Sequence, residues 1–225
     1  MSYILNIETS TKNCSVSIAR NGETISLKEI NTGNYSHAEM LHPLIKEALK
    51  ESKLKIDQIA AIAVGKGPGS YTGLRIGVSA AKGLCFANDI PLISINSLEI
   101  LAHAISVKEG YIVPMIDARR MEVYSAVFDT SHNFIRETKA EIVDVNSFSK
   151  ELESNSLYFV GDGAKKCEEI ILHKHAIFIE DLFPSSKDMG QLSFDKYKKN
   201  DIEDVAYFEP FYLKNFVATT EKKKL

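Results

Sequence analysis

Two α/β units in tandem, each a mixed sheet flanked by helices, are the fold class this sequence predicts, and three features predict it. The hydrophobic period switches between two, the repeat of a strand, and the longer repeat of a helix. The order that results, three strands and then helix, strand, helix, strand, helix, occurs twice along the chain. The length of 225 residues suits two small domains or one large one, at about 150 residues per domain.

In the first half, Tyr3 to Ile7 is a short apolar run and reads as a buried strand. Cys14, Val16 and Ile18 alternate with Ser15, Ser17 and Ala19, which marks a half-buried strand. Asn21-Gly22 is a hairpin turn signal, and Ile25 and Leu27 carry the alternation into a third strand. Beyond a polar loop at 31–36, Met40, Leu41, Leu44, Ile45, Ala48 and Leu49 line one face of a helix. A strand at 59–64, a glycine loop at 65–69, a helix at 73–87 and a strand at 91–95 follow. Asn96, with Glu99 three residues on, starts a helix over 97–105.

The second half repeats the order. Strands are predicted at 111–117, 122–129 and 133–138, a helix at 146–152 and a strand at 157–160. Gly161-Asp162-Gly163 forms a glycine loop before a helix through Leu172, followed by a strand at 176–179 and a last helix at 185–198. Each three-strand meander pairs antiparallel, while strands separated by helices need right-handed crossovers and pair parallel. The chain divides into 1–106 and 107–225, joined near Ser106 to Gly110, each sized to hold a core. No low-complexity linker separates the units, so they are expected to pack together.

Composition narrows the function classes. Hydrophobic residues at 44% and charged residues at 25% exclude a disordered chain. Lys+Arg 27 against Asp+Glu 30 leaves a net charge of -3, so no whole-chain basic field drives autonomous binding to nucleic acid or acidic membranes. No apolar run approaches the ~20 residues that span a bilayer. The N-terminal residues lack a basic flank and a cleavage pattern, so no signal peptide is expected. Cys14, Cys85 and Cys167 are odd in number and far apart, which reads as buried thiols in a reducing cytoplasm. The six histidines are dispersed and form no ligand set, and no nucleophile, base and orienter stand together as a peptidase would need.

Gly65-Lys66-Gly67-Pro68-Gly69-Ser70-Tyr71-Thr72-Gly73 is the most informative stretch. A strand, a glycine loop and a helix in succession aim backbone N–H groups at an anion. The pattern is neither a Walker loop nor a dinucleotide fingerprint, and a tight turn closed by Pro68 is the competing reading. In the following helix Gly73, Gly77, Ala81 and Cys85 recur every four residues. A stripe that small either packs closely on its own sheet or, with Met40 and Ala48 of the preceding helix, forms an exposed docking patch.

The duplicated order resembles the ribonuclease-H-like unit. Two such units in tandem resemble the actin, sugar-kinase and chaperone-ATPase superfamily. That resemblance implies a cleft in which the first hairpin of each unit grips nucleotide phosphates, although a fold does not fix a function. The first hairpin offers Glu8 and then Thr9-Ser10-Thr11-Lys12-Asn13, the second Asp117 and then Ala118-Arg119-Arg120-Met121, neither with a glycine. Glu8 and Asp117 could hold Mg²⁺ across the cleft, as in a free-standing ATPase or small-molecule kinase. The favoured reading is that each ends its strand by accepting loop N–H bonds, because bulky side chains obstruct phosphate. Weak nucleotide or anion contact is then left to Thr9, Gly67, Gly69, Asp117, Gly161 and Gly163.

Gly67-Pro68-Gly69-Ser70-Tyr71-Thr72-Gly73-Leu74-Arg75-Ile76-Gly77 resembles the signature of the TsaB family. So do Ile7-Glu8-Thr9-Ser10, Ile116-Asp117-Ala118-Arg119 and Pro210-Phe211-Tyr212-Leu213-Lys214. The resemblance implies a cytoplasmic, non-catalytic subunit in tRNA modification, supporting formation of threonylcarbamoyladenosine beside the anticodon and needing no cofactor of its own. It implies a heterodimer with the enlarged paralogue TsaD, which carries the transferase site, with TsaE joining a ternary complex. TsaC supplies the threonylcarbamoyl-adenylate, tRNA is engaged indirectly, and a homodimer forms when the partner is absent. The implied interface lies on the first two helices of the N-terminal unit, at Met40, Leu41, Leu44 and Ala48 and at Gly73, Gly77, Ala81 and Leu84.

The catalytic paralogue carries Asn-His-x-x-Gly-His where this chain has Asn96-Ser97-Leu98-Glu99-Ile100-Leu101. Ser97 and Leu101 stand in place of its metal-binding histidines, so no metal is expected here. The basic tail Glu221-Lys222-Lys223-Lys224-Leu225 reads as a solvated terminus, with phosphate contact to tRNA as the alternative.

Overall fold

The computed structural model describes residues 1–31, 33 and 36–214. The basic tail at 221–225 lies outside the described residues. Among the described residues, ten strands form two five-stranded sheets. The first contains β1 (Tyr3–Glu8), β2 (Cys14–Arg20), β3 (Glu23–Ile30), β4 (Ala61–Gly67) and β5 (Leu92–Asn96), in the order β3-β2-β1-β4-β5. The second contains β6 (Tyr111–Asp117), β7 (Glu122–Phe128), β8 (Phe134–Ile142), β9 (Leu157–Val160) and β10 (Ala176–Ile179), in the order β8-β7-β6-β9-β10. In both, the meander pairs antiparallel and the later strands join parallel to the first. The two sheets therefore share one topology, the ribonuclease-H-like arrangement used twice.

Helices α1 (His37–Glu51), α2 (Tyr71–Asn88) and α3 (Ser97–Ala102) belong to the first half. Leu41, Leu44, Ile45 and Ala48 of α1 and Val78, Ala81 and Cys85 of α2 bury one core with Leu5, Ile7, Val16, Ile18 and Val64 of the sheet. Local chemistry fixes the ends. Asn21 and Gly22 both adopt positive φ, 51° and 95°, as a tight two-residue hairpin requires. Ser70 caps α2 by accepting the Gly73 N–H, and Asp89 closes it in a left-handed conformation.

The second half departs from the expected lengths. Its helices shrink to α4 (Ser149–Leu152) and α5 (Lys165–Glu168). Asp144 accepts the Asn146 N–H and Phe148 sits at φ 61°, so the residues before Ser149 are spent on turns. Beyond Glu168 the Ile170 and Ile171 N–H groups both turn back to Cys167 O, and Ile171 is buried while Leu172 is exposed, so the segment ends in turns.

The last predicted helix is a 3₁₀ turn (Ser186–Met189) followed by α6 (Gly190–Lys198), and it covers the first sheet, not the second. Met189 is fully buried with Ile4, Ala61, Ala63, Ile93 and Ile95. Ser17 Oγ donates to Ser186 O (2.6 Å), and the Ser186 N–H donates to Ser15 Oγ (2.9 Å). That return explains why β2 is buried on both faces where half-burial was predicted: its serines are matched to a covering segment from 169 residues later. Met189→Ala is expected to cost about 2–5 kcal/mol, as buried large-to-small substitutions do. Urea unfolding checks this, and a loss under about 1 kcal/mol would show that the Ser186–Met189 turn does not hold the first sheet.

Candidate functional site

The cleft ends of the two first hairpins are built differently from a phosphate cradle. At the end of β1 the Glu8 side chain is fully buried. Its Oε1 accepts the Ser10 N–H at 2.5 Å, and its Oε2 accepts the Ser97 hydroxyl at 3.0 Å. Burial pushes the Glu8 carboxyl above its ordinary 4.5, against the lowering effect of these bonds. A Cβ added to Gly65 would lie 2.0 Å from Glu8 Oε2. One at Gly69 would lie 2.3 Å from Ser10 O, and one at Gly73 2.2 Å from Thr9 O. Thr9 Oγ1 donates to Gly73 O (2.8 Å) and sits where a Gly77 side chain would begin, while the Ser70 N–H donates to Ser10 O (2.6 Å). The glycines thus admit the chain's own Glu8-Thr9-Ser10. Gly67, at φ 103°, faces Leu74 and the Phe211 carbonyl.

The second hairpin is also occupied from within. Asp117 accepts the Arg119 N–H (2.9 Å), and Lys166 Nζ pairs with Asp117 Oδ1. The same ammonium donates to Arg120 O and Glu122 O, both at 2.7 Å. Asp162 takes the Asp117 N–H (3.1 Å), and burial raises its carboxyl while Asp117 adds repulsion. Gly161 and Gly163 pack against the β6 backbone, with Met115 O 2.3 Å and Ile116 C 3.0 Å from a notional Cβ. Each carboxylate therefore ends its strand on loop N–H groups, the favoured one of the two sequence readings. The residues grouped for anion contact, Thr9, Gly67, Gly69, Asp117, Gly161 and Gly163, spend their polar groups or their space on the protein itself.

Ser97 is bonded to Glu8, and Leu101 is fully buried with Ile112, Ile116, Phe128 and Val160. Among the described residues no group of three or more His, Cys, Asp or Glu side chains could hold a metal ion.

The small stripe of α2 faces inward. Gly73, Gly77, Ala81 and Cys85 are all buried, the first two against Thr9 and the last two in the first core. Leu41, Leu44 and Ala48 of α1 are buried in that core as well. The exposed patch expected from these residues is therefore corrected: close packing on the chain's own sheet claims them, and Ala81 offers no surface to a neighbour. Of the sequence-selected set, Met40 and Leu84 remain half-exposed.

The outer faces of α1 and α2 supply a different surface. His42, Ile76, Ser79, Ala80, Gly83 and Leu84 line a groove of about 380 Å³. A smaller recess of about 150 Å³ continues it between Ser36–Glu39 and Thr72, Gly73 and Ile76. The sequence reading did not group Ile76, Ala80 and Gly83 on this face. The signal available was the helical angle, since these positions lie off the stripe that Gly73 and Gly77 define.

Because burial raises the Glu8 carboxyl, the folded chain keeps a proton that the unfolded chain releases above its ordinary 4.5. The stability Glu8 contributes is present below that pH and lost as pH rises through its higher folded value. Glu8→Gln keeps the acceptor for Ser10 and removes the charge. Between pH 4 and 7, urea unfolding is expected to show wild-type stability falling relative to this variant, and parallel curves would contradict a buried, proton-binding Glu8.

The chain is similar to known proteins over most of its length. The profile of the family described as "TsaD: tRNA N6-adenosine threonylcarbamoyltransferase" matches residues 32–222. The Escherichia coli K12 tRNA threonylcarbamoyladenosine biosynthesis protein TsaB is 30% identical over 224 residues, covering 96% of each chain. Its Haemophilus influenzae counterpart is 28% identical over 225 residues, covering 95% of this chain and 94% of that protein. A Pseudomonas aeruginosa crystal structure, described as an uncharacterized protein with similarity to peptidase YEAZ, superimposes with a TM-score of 0.84 at 25% identity, covering 95% of this chain and all of that one. The chain belongs to the family that this profile defines and, within it, to the TsaB family of tRNA threonylcarbamoyladenosine biosynthesis proteins.

Proposed function

We propose that this chain is a non-catalytic subunit that binds TsaD and thereby enables threonylcarbamoyl transfer to tRNA. One observation carries the reading. The chain's own Glu8, Thr9, Ser10 and Lys166 fill the positions at which this fold class would grip a nucleotide, while an apolar groove stands open on α1 and α2. In this reading residues 1–106 carry the partner interface, with Met40 and Leu84 at its margin and Ile76, Ala80 and Gly83 at its centre. Residues 107–225 complete the body of the subunit. TsaD performs the transfer and holds the metal, TsaE completes a ternary complex, and tRNA is reached through TsaD. In the absence of TsaD the same groove supports self-association. Glu8 and Asp117 act as strand-end anchors and not as magnesium ligands.

Titration calorimetry separates this from a free-standing ATPase or small-molecule kinase. The purified chain is expected to bind TsaD at one-to-one ratio with micromolar or tighter affinity, about -8 kcal/mol or below. With Mg-ATP alone it is expected to show no turnover. Turnover that Asp117→Ala abolishes, with no heat on addition of TsaD, would overturn the reading.

A further inference from the structure

His103 and His132 come from different halves of the chain and meet ring to ring where the halves join, with centroids 4.1 Å apart and planes 22° apart. Both are half-buried, and neither takes part in the hairpin ties or in the groove on α1 and α2. His103 closes α3, whose Leu98, Leu101 and Ala102 are buried with Ile112, Ile116 and Phe128 of the second sheet. His132 sits in the turn between β7 and β8. Asp129 builds that turn by accepting the Ser131 and Asn133 N–H groups, both at 2.8 Å, and His132 takes a left-handed φ of 61°. The ring is thereby aimed back at α3. Its Nε2 lies 3.1 Å from Ala102 O and 3.0 Å from Ile105 O, and His103 Nδ1 lies 2.9 Å from Glu99 O. Carbonyl oxygens only accept, so each of these nitrogens carries a proton and donates it. Each ring keeps one further nitrogen, Nε2 of His103 and Nδ1 of His132, to take up a second proton.

We infer that the His103–His132 stack is an acid-sensitive latch between the two halves, closed while at least one ring is neutral and opened when both are charged. It stands independently of the TsaD-binding reading. Two unit charges 4.1 Å apart repel strongly where water is partly excluded. The first proton goes to His132, whose ring rests on two carbonyl oxygens and has the Asp129 carboxylate in its own turn. Burial, and after it the charge on His132, pushes His103 below its ordinary 6.5, against the bond to Glu99 O. One turn back on α3, the buried Glu99 carboxyl is coupled to Lys196 of α6 and Lys66 of β4. The folded chain therefore refuses at His103 a proton that the unfolded chain takes up near 6.5. The stability this ring contributes is complete above that pH and is lost as pH falls through its lower folded value. Opening the latch frees the β7–β8 turn from Ala102 and Ile105 and loosens the join between the halves.

The full chain is followed by the ring-proton resonances of its histidines and by amide hydrogen exchange at pH 7 and pH 5, corrected for the intrinsic effect of pH. His132 is expected to titrate at or above 6.5, and His103 to bind its proton at least about tenfold more weakly, about one pH unit lower. Exchange at 102–106 and 129–134 is expected to quicken about tenfold or more at pH 5 as the join opens locally. His103→Phe keeps a flat ring in the stack and takes no proton, so its acceleration is expected to stay below about twofold. His132→Asn suits the left-handed turn and removes the other charge. It is expected to bring the His103 titration back up toward 6.5, and it decides the matter if His103→Phe does not fold. Two independent titrations at the ordinary 6.5, or equal corrected exchange at the two pH values in the wild type, would overturn the latch. So would an acid-quickened exchange that survives in both variants.

Discussion

The insertion of Glu8-Thr9-Ser10 into the glycines of β4 and α2 is the constraint on which the rest of the molecule depends. Ser10 O, Thr9 O and Thr9 Oγ1 lie where side chains at Gly69, Gly73 and Gly77 would begin, so none fits there. They draw α2 against the end of β1, with Thr9 Oγ1 donating to Gly73 O and Ser10 O accepting from Ser70. Helix depth follows from backbone-to-backbone approach, not from side-chain volume. Because α2 is held that deep, its small stripe is consumed inside the fold and a different set of residues faces outward.

The same insertion settles the electrostatics of the cleft. Burying an ionised carboxylate is costly unless hydrogen bonds repay it. A backbone N–H and the Ser97 hydroxyl offset only part of that cost for Glu8, and burial holds its carboxyl above the usual range. Ser97 lies on α3, so the bond ties the first hairpin to the helix that reaches toward the second sheet. Lys166 does the matching task on the other side, spanning Asp117 and two carbonyls of its hairpin. Groups that a phosphate would need as donors are already donating. The ends of both first hairpins are thus tied internally, one by Ser10 and Ser97 and the other by Lys166.

Much of this was legible in the sequence, and the failures have physical causes. The duplicated element order, the Asn21-Gly22 turn and the strand-ending role of Glu8 and Asp117 follow from local patterns that tertiary packing did not override. The α6 crossover was not legible, because an amphipathic helix does not say which sheet its apolar face will find. The serines at 15 and 17 looked solvent-facing for the same reason: their partner, Ser186, is remote in sequence. The small stripe of α2 was seen, but sequence spacing cannot tell whether a glycine notch receives a foreign helix or the chain's own Thr9. Gly83, outside the stripe, was overlooked because an isolated helical glycine carries no period.

Amide hydrogen exchange gives the most direct test of the proposal that the chain works through the outer faces of α1 and α2 and not through the hairpins at Glu8 and Asp117. The chain alone is compared with the chain plus TsaD and, separately, with the chain plus Mg-ATP. The expected result is slower exchange across 37–51 and 71–88 with TsaD, and no change at 8–12 or 117–122 with Mg-ATP. Slowed exchange at those two hairpins with Mg-ATP, and none along the two helices with TsaD, would contradict it.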